Sequence, residues 1–325
     1  MKAYALTTRL LIIASCFFVS CSPYVDIVKV DVLNPSAATF SFLDKDVAIV
    51  GNLYELEDGK YLYDSTLVAN ATQGLKDALE QSPVFSGYEI PIYYTYTSDT
   101  SLVSKTMSKA DADKLADDMG VDMFIVVDYI NIISDKPDNE QNVEFSMVYT
   151  ALFRIYDITA EKPYASYVFQ SVQPESMIVY NDNGVMVLIS GSGAKASLAN
   201  RLGENYALLI APFWETVERV YYVSPDDEHA NIKKGDRYVR QGDWTKAMEY
   251  WNKTITTSTK KMQVAMAAFN MALGCEMLGD LALAKSWLEF CKKQQDPKIN
   301  PNAYLQTIVT RLQDKQILDK KLQVQ

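Results

Sequence analysis

Histidine is nearly absent from the sequence, which contains a single residue of this type, His229. Histidine is the side chain most often used as a general base, and zinc sites combine histidine and cysteine at short spacings. A lone histidine in an acidic segment is most often a surface residue, and no Cys and His cluster has metal-ligand spacing. We therefore expect a protein that is not an enzyme, with no catalytic residues, no metal and no cofactor.

Cysteine and basic charge are scarce as well. Apart from Cys16 and Cys21 near the start, Cys275 and Cys291 remain. Two cysteines are too few for the disulfide framework of a small secreted domain, and whether they pair stays open. The chain has 31 Lys and Arg residues against 41 Asp and Glu residues. Because phosphate neutralisation needs clustered Lys and Arg, nucleic acid is excluded as a main partner.

The apolar run near the start of the chain is too short to cross a membrane. Residues 10 to 19 would form a helix of roughly 15 Å, half of the ~30 Å hydrocarbon core. The run follows two basic residues and ends at a small residue directly before Cys21. Residues 1–20 therefore resemble the signal peptide of bacterial lipoproteins. The resemblance implies acyl chains, palmitate among them, on Cys21 and a lipid-anchored protein of a Gram-negative outer membrane, which we expect to face the periplasm.

Two alternatives to this anchor remain open. One is an ordinary signal peptide whose cleavage falls near a cysteine. The other is lipidation of Cys16, which follows Ile13-Ala14-Ser15 in a second match to the same pattern. Cys16 would leave an apolar segment of about six residues, below the usual 7 to 15, so Cys21 is the better candidate.

Without the leader, the chain is long and apolar enough for two packed domains, since 48% of its residues are hydrophobic. We expect an α+β domain with a mixed sheet and covering helices, followed by an all-α domain of tetratricopeptide-like repeats. The predicted boundaries are a signal peptide over residues 1–20, a tether and first strand over 21–45, the α/β domain over 46–225, and the repeats with a capping helix over 226–325.

Hydrophobic periodicity places the elements of the first domain. A short buried strand is expected at residues 46–52, a central strand covered on both faces at 121–133, and an antiparallel pair at 143–156 and 164–172. The other predicted elements are a helix capped by Asp64, a strand over 88–97, a helix between Ser108 and Gly120, a hairpin over 177–189, a helix over 192–217 and a strand over 220–223.

This order resembles the envelope lipoprotein fold shared by the curli-secretion pore protein, the lipoprotein activators of penicillin-binding proteins and the N-terminal domain of TolB. The residues that carry the resemblance lie at 47–50, 115–127 and 154–159. With Asn34-Pro35-Ser36-Ala37, the layout is also similar to an uncharacterised Gram-negative lipoprotein family that joins this fold to helical repeats. That family has no established activity, so it implies a location and an architecture only.

The second domain contains one pattern twice, about 37 residues apart, as tetratricopeptide repeats do. Small residues allow two helices to approach closely, and a Gly-Asp pair turns the chain between them. The two copies are Gly235-x-x-Tyr238-x-x-x-Gly242-Asp243-Trp244-x-x-Ala247-x-x-x-Trp251 and Ala272-x-x-Cys275-x-x-x-Gly279-Asp280-Leu281-x-x-Ala284-x-x-x-Leu288.

The repeats favour a non-catalytic adaptor or assembly factor that binds a protein partner of the cell envelope. In the tetratricopeptide family the first helix of each pair lines the concave face. The resemblance therefore implies a partner-binding groove formed by residues that avoid the packing stripe, namely Asp236, Val239, Arg240, Leu273, Glu276 and Met277.

Other functions are weaker alternatives. A carbohydrate- or small-solute-binding lipoprotein is indicated by the tyrosine-rich strand with Tyr93, Tyr94 and Tyr96. The segment at residues 190–195 has glycines near a lysine, but it lacks the spacing and the final Ser or Thr of a phosphate-binding loop. An enzyme that uses scattered carboxylates is a further alternative.

Overall fold

A computed structural model describes residues 24–54, 65–97, 106–135, 146–160, 164–176, 191–225 and 229–322. The signal peptide, Cys16, Cys21, Asp64 and the predicted hairpin over 177–189 lie outside these residues. Two compact units divide the chain, and each combines separate segments. We call residues 33–214 and 317–325 the α/β unit, and residues 1–32 and 215–316 the helical unit.

The elements follow the predicted general order, with an α/β region of mixed sheet before a helical region. In chain order they are β1 (Tyr24–Asn34), β2 (Val47–Tyr54), α1 (Ser65–Glu80), a 3-10 turn (Pro83–Phe85), β3 (Ile92–Thr97), α2 (Lys109–Met119), β4 (Met123–Asp135), β5 (Ser146–Asp157), β6 (Tyr164–Ser176), α3 (Gly191–Ile210), β7 (Phe213–Val223), α4 (Ala230–Val239), α5 (Trp244–Thr257), α6 (Lys261–Met277), α7 (Leu281–Lys293) and α8 (Asn302–Lys321).

The sheet of the α/β unit has the strand order β3-β2-β4-β5-β6. Strand β2 pairs in parallel with β3 and with β4, whereas β4, β5 and β6 are antiparallel. Every residue of β2 is buried, because helices cover both faces. Val47 and Ile49 pack towards α1 and α3, and Ala48 and Val50 pack towards α2. The mixed sheet and its apolar central strands agree with the sequence prediction.

The ends of α2 confirm the capping residues read from the sequence. The Ser108 side chain accepts a hydrogen bond from the Asp111 N–H, and Gly120 has a φ of 67° in the left-handed region. A serine at the N-cap satisfies a free helical donor. Glycine adopts the left-handed conformation that closes the helix without a steric cost.

The predicted helix over residues 192–217 is wrong over its last seven residues, 211–217. Helix α3 ends at Ile210, and β7 begins at Phe213. Pro212 explains the break, because proline has no N–H to donate and disfavours helical geometry in the residue before it. The predicted apolar stripe is buried as far as Ile210, whereas Val217 belongs to a strand.

The predicted boundary at residue 225 also differs from the structure. Strands β1 and β7 form a two-stranded ribbon, and their residues up to 32 and from 215 belong to the helical unit. Four side chains of the ribbon explain this, because they pack into the apolar core of the helices: Val30, Val32, Tyr221 and Tyr222. Patterning along the chain could not reveal a pairing between strands so far apart.

The C-terminal end of α8 belongs to the α/β unit. There Lys321 Nζ donates hydrogen bonds to Ser36 O at 2.9 Å and to Ser36 Oγ at 2.7 Å. Desolvation by burial lowers the pKa of Lys321. In the described part of the chain, no helix is both long and apolar enough to cross a membrane.

Candidate functional site

The helical unit is built from two helix pairs with matching turns. Gly242 and Gly279 end the first helices with φ values of 74° and 81°. Asp243 and Asp280 then cap the second helices, since their side chains accept hydrogen bonds from backbone N–H groups three residues later. In each Gly-Asp pair the glycine therefore closes the first helix in the left-handed conformation, and the aspartate caps the start of the second helix.

Helix α6 lies at the centre of the helical unit. Residues 263 to 276 are all buried, so the helix is covered on every side. A helix that is buried all round is expected to be apolar throughout. Gln263, Asn270 and Glu276 break this rule, and a buried polar side chain needs a hydrogen-bond partner.

Asn270 holds the backbone of β7. The Tyr222 N–H donates to Asn270 Oδ1 at 2.8 Å, and Asn270 Nδ2 donates to the Tyr222 carbonyl at 2.7 Å. The side-chain amide thus replaces a neighbouring strand by satisfying both backbone groups of one residue. The Tyr222 ring also meets Phe269 edge-on, with centroids 5.0 Å apart. Helix α6 therefore binds β7 through the backbone of Tyr222 and through the aromatic ring of the same residue.

Glu276 holds a side chain of the same strand. Arg219 of β7 donates from Nε to both carboxylate oxygens at 3.3 Å. Arg311 and Tyr304 of α8 also donate to this carboxylate. Burial, followed by the effect of Glu276, raises the pKa of Tyr304 well above its ordinary value. Charge-assisted bonds from two guanidinium groups compensate for burying the carboxylate.

Asp236 provides a third contact to β7. The Tyr221 hydroxyl donates to Asp236 Oδ1 at 2.7 Å. Burial and the hydrogen bond to Asp236 raise the pKa of Tyr221. Carboxylates therefore bind the side chains of Arg219 and Tyr221, and the amide of Asn270 binds the backbone of Tyr222.

The six predicted partner-binding residues do not form an open groove. Val239, Leu273 and Glu276 are buried, Asp236 and Met277 are partly buried, and Arg240 is exposed. Asp236 and Glu276 bind side chains of β7, which belongs to the same chain. That the six residues bind a partner stays a prediction.

Arg219, Tyr222 and Asn270 were missed by the sequence reasoning. One signal was present: Asn270 and Glu276 interrupt an otherwise apolar stretch of a helix. Such residues indicate a buried partner, but the sequence does not say that the partner is β7.

The ribbon leaves its other face exposed within the described part of the helical unit. Along β1, residues 26, 28, 30 and 32 are progressively buried, whereas Val25 and Ile27 are 53% and 55% exposed. On β7, Val220 is 47% exposed. We call Val25, Ile27 and Val220 the ribbon surface. Arg240 pairs with Asp26, between the first two of these residues, and also with Asp236 at 3.2 Å.

Cys275 and Cys291, the cysteines among the described residues, are free thiols in the helical unit. Burial, with a smaller effect of Asp280, raises the pKa of Cys275 to about 11. Burial, with a smaller effect of Asp296, raises the pKa of Cys291 to about 12. Both are therefore protonated at neutral pH, a state that makes them poor nucleophiles.

The three tyrosines that indicate a carbohydrate-binding function as an alternative lie on β3, at the edge of the five-stranded sheet. Tyr93 and Tyr94 are 39% exposed, and Tyr96 is 62% exposed. Tyr94 and Tyr96 border a shallow depression of about 290 Å³. The Tyr94 hydroxyl is within hydrogen-bond distance of Thr72 Oγ1, at 3.2 Å, so part of this side chain serves the fold.

Together these features define a protein with a mixed-sheet α/β unit and a helical unit whose helices bind strand β7 of the same chain. A family model described as a domain of unknown function, DUF8603, matches residues 27–222. Because this is more than half of the chain, the chain belongs to that family. A second model, also a domain of unknown function, DUF6340, matches residues 233–314. No curated protein matches the chain.

Proposed function

We propose that the protein is a non-catalytic adaptor of the Gram-negative cell envelope. Acyl chains on Cys21 hold it in the outer membrane, facing the periplasm, and the helical unit binds a protein partner. The repeated Gly-Asp turns and the small residues at the helix contacts support a tetratricopeptide-like helical unit. The order of strands and helices supports the likeness of the α/β unit to the envelope lipoprotein fold.

The ribbon surface is the observation that carries the partner-binding proposal. Apolar side chains are exposed on one face of the ribbon, while Asn270, Glu276 and Asp236 fix the strand behind them. A surface that is already ordered loses less conformational entropy when a partner binds. Exposed apolar side chains also match the fully buried core of protein interfaces, which is more apolar than the rest of the surface.

Matched charge changes in the full-length protein test this proposal. Ile27→Asp and Val220→Asp should each reduce the recovery of crosslinked partner from intact envelopes on the order of tenfold, which corresponds to about 1.4 kcal/mol. Leu278→Asp and Leu283→Asp are the controls, because they make the same change at exposed apolar positions elsewhere on the helical unit. All four variants should keep the melting temperature of the parent protein.

The proposal fails if the two ribbon variants recover the same crosslinked proteins, in the same amounts, as their controls. A loss that is equal in all four variants would also contradict it, because the effect would then follow surface charge and not position. Glu276→Lys is unsuitable for this comparison. It would break the buried contacts to Arg219 and Arg311, and so would disturb the fold itself.

A further inference from the structure

The α/β unit contains a cavity at the carboxyl ends of its parallel strands. After β2, the chain crosses one face of the sheet through α1 to reach β3, and then crosses the other face through α2 to reach β4. Strands β3 and β4 therefore lie on opposite sides of β2, and the sheet has its switch point there. In open α/β sheets, ligands bind outside the carboxyl ends of the strands at such a switch point.

The cavity has a volume of about 350 Å³, which is at the lower end of the range for ligand sites. Its polar wall includes Asn52 of β2, Thr95 of β3 and Asp128 of β4. Residues before and within α2 contribute the facing side. The other described lining residues are Tyr54, Thr106, Met107, Ser108, Asp111, Leu115 and Tyr156.

A β-bulge places Asp128 at this cavity. The register between β4 and β5 shifts between Val127 and Tyr129, so Asp128 is the extra residue. Bulges are frequent beside active sites, where they redirect a side chain. Asp128 is only 3% exposed, in the middle of a strand whose neighbouring residues are apolar.

Hydrogen bonds connect the polar wall across four strands. Thr95 Oγ1 donates to Asn52 Oδ1, and Asn52 Nδ2 donates to Asp128 Oδ1 at 2.8 Å. Arg154 of β5 donates to the other carboxyl oxygen of Asp128. Such a buried network costs desolvation energy that an apolar wall would not cost. Its position at the cavity gives a functional reason for keeping it.

The lining has the chemistry for a neutral ligand with hydroxyl groups. Hydroxyl, amide and carboxyl groups supply donors and acceptors, and Leu115 and Met107 supply apolar contact. Among the described lining residues, Asp111 and Asp128 are acidic and none is Lys or Arg, which favours a neutral ligand over an anion. Burial, only partly offset by Arg154 and Asn52, raises the pKa of Asp128 to about 7. Near neutral pH its carboxyl group can therefore donate as well as accept.

We propose that this cavity binds a small neutral solute that carries several hydroxyl groups and is about the size of a monosaccharide. The site is separate from the ribbon surface in residues and in chemistry. It does not depend on the adaptor function, and the adaptor function does not depend on it.

Saturation-transfer NMR on the full chain tests the site. The probes are glucose, galactose, N-acetylglucosamine, ribose and myo-inositol, with glucosamine and glucose 6-phosphate as charged relatives of glucose. At least one neutral probe should receive saturation, and glucose 6-phosphate should receive none. Leu115→Trp fills the cavity from α2 without removing a hydrogen bond, and should reduce the signal at least tenfold.

Lys114→Trp is the matched control, because it adds the same side chain at the neighbouring, exposed position of α2. It should keep the signal of the parent protein. Thr106→Trp, on an exposed lining residue, repeats the test should Leu115→Trp fail to fold. The proposal is overturned by the absence of transfer to every neutral probe, by binding of the charged probes alone, or by an unchanged signal in the folded filling variant.

Discussion

At the scale of single residues, buried polar side chains organise both units. Asp128 in the α/β unit and Asn270 and Glu276 in the helical unit are all buried. Each has partners from other elements, which offset the cost of burial. These residues therefore specify which strands and helices come together, a task that apolar packing alone performs less selectively.

The raised pKa of Asp128 predicts a pH-dependent stability. Its ordinary value is 3.8 and its folded value is about 7, so between these values the folded state binds more protons than the unfolded state. The free energy of unfolding should therefore fall as the pH rises from 4 to 7. Asp128→Asn should remove this contribution, because the amide does not titrate.

The measurement is urea denaturation of the wild type and of Asp128→Asn at several pH values across this range. The stability of the wild type relative to the variant should decrease as the pH rises. A difference that is constant with pH would show that folding does not shift the pKa of Asp128, and a difference that increases would show that the Arg154 ion pair outweighs burial and lowers this pKa; either result contradicts the prediction.

Residue-level predictions from the sequence succeeded where the signal is local. Ser108 and Gly120 were identified as caps because both act within a few residues of their helix. The contact between Asp128 and Arg154 could not be identified this way, because it depends on the pairing of β4 with β5 and on a bulge. The available hint was a single acidic residue within an apolar strand.

At the scale of elements, α1 and α3 pack through two glycines. A Cβ added to Gly74 would lie 2.1 Å from Asn200 O, and one added to Gly203 would lie 2.0 Å from Ala71 O. Atoms cannot approach so closely, so the two helices can keep their present separation only with glycine at both positions.

Gly203→Ala should therefore destabilise the α/β unit. Overpacking of this kind costs about 1–3 kcal/mol, which exceeds the gain of up to about 1 kcal/mol from replacing a helical glycine by alanine. Chemical denaturation measures the loss. Asn205→Ala, at an exposed position of the same helix, should change stability by less than about 0.5 kcal/mol. Equal stability of Gly203→Ala and the wild type would contradict the prediction, because separating the helices would then cost no more than alanine gains in helix propensity.

Element boundaries show the same limit of sequence reasoning. Amphipathic stripes correctly located the helical part of α3, but the stripe continued by chance through Pro212 into β7. The partner of β7 is β1, almost 200 residues earlier in the chain. The sequence predicted this strand only over residues 220–223, and neither its start at Phe213 nor its contact with α6 follows from local periodicity.

At the scale of the whole molecule, both units combine segments from distant parts of the sequence. The general architecture, a mixed-sheet region before a helical region, was predictable because it depends on hydrophobic patterns in chain order. The division into units was not, since β1 and the end of α8 each join elements from the other end of the chain. The proposed anchor at Cys21 lies three residues before β1 and would therefore tether the ribbon of the helical unit.

Labelling with radioactive palmitate tests the central claim, a lipid-anchored envelope protein, most directly. Single substitutions at the two candidate cysteines distinguish the anchor from its alternatives. The account predicts incorporation into the wild type and into Cys16→Ala, and none into Cys21→Ala. Label that persists in Cys21→Ala, or a wild-type protein that takes up no label, would contradict it.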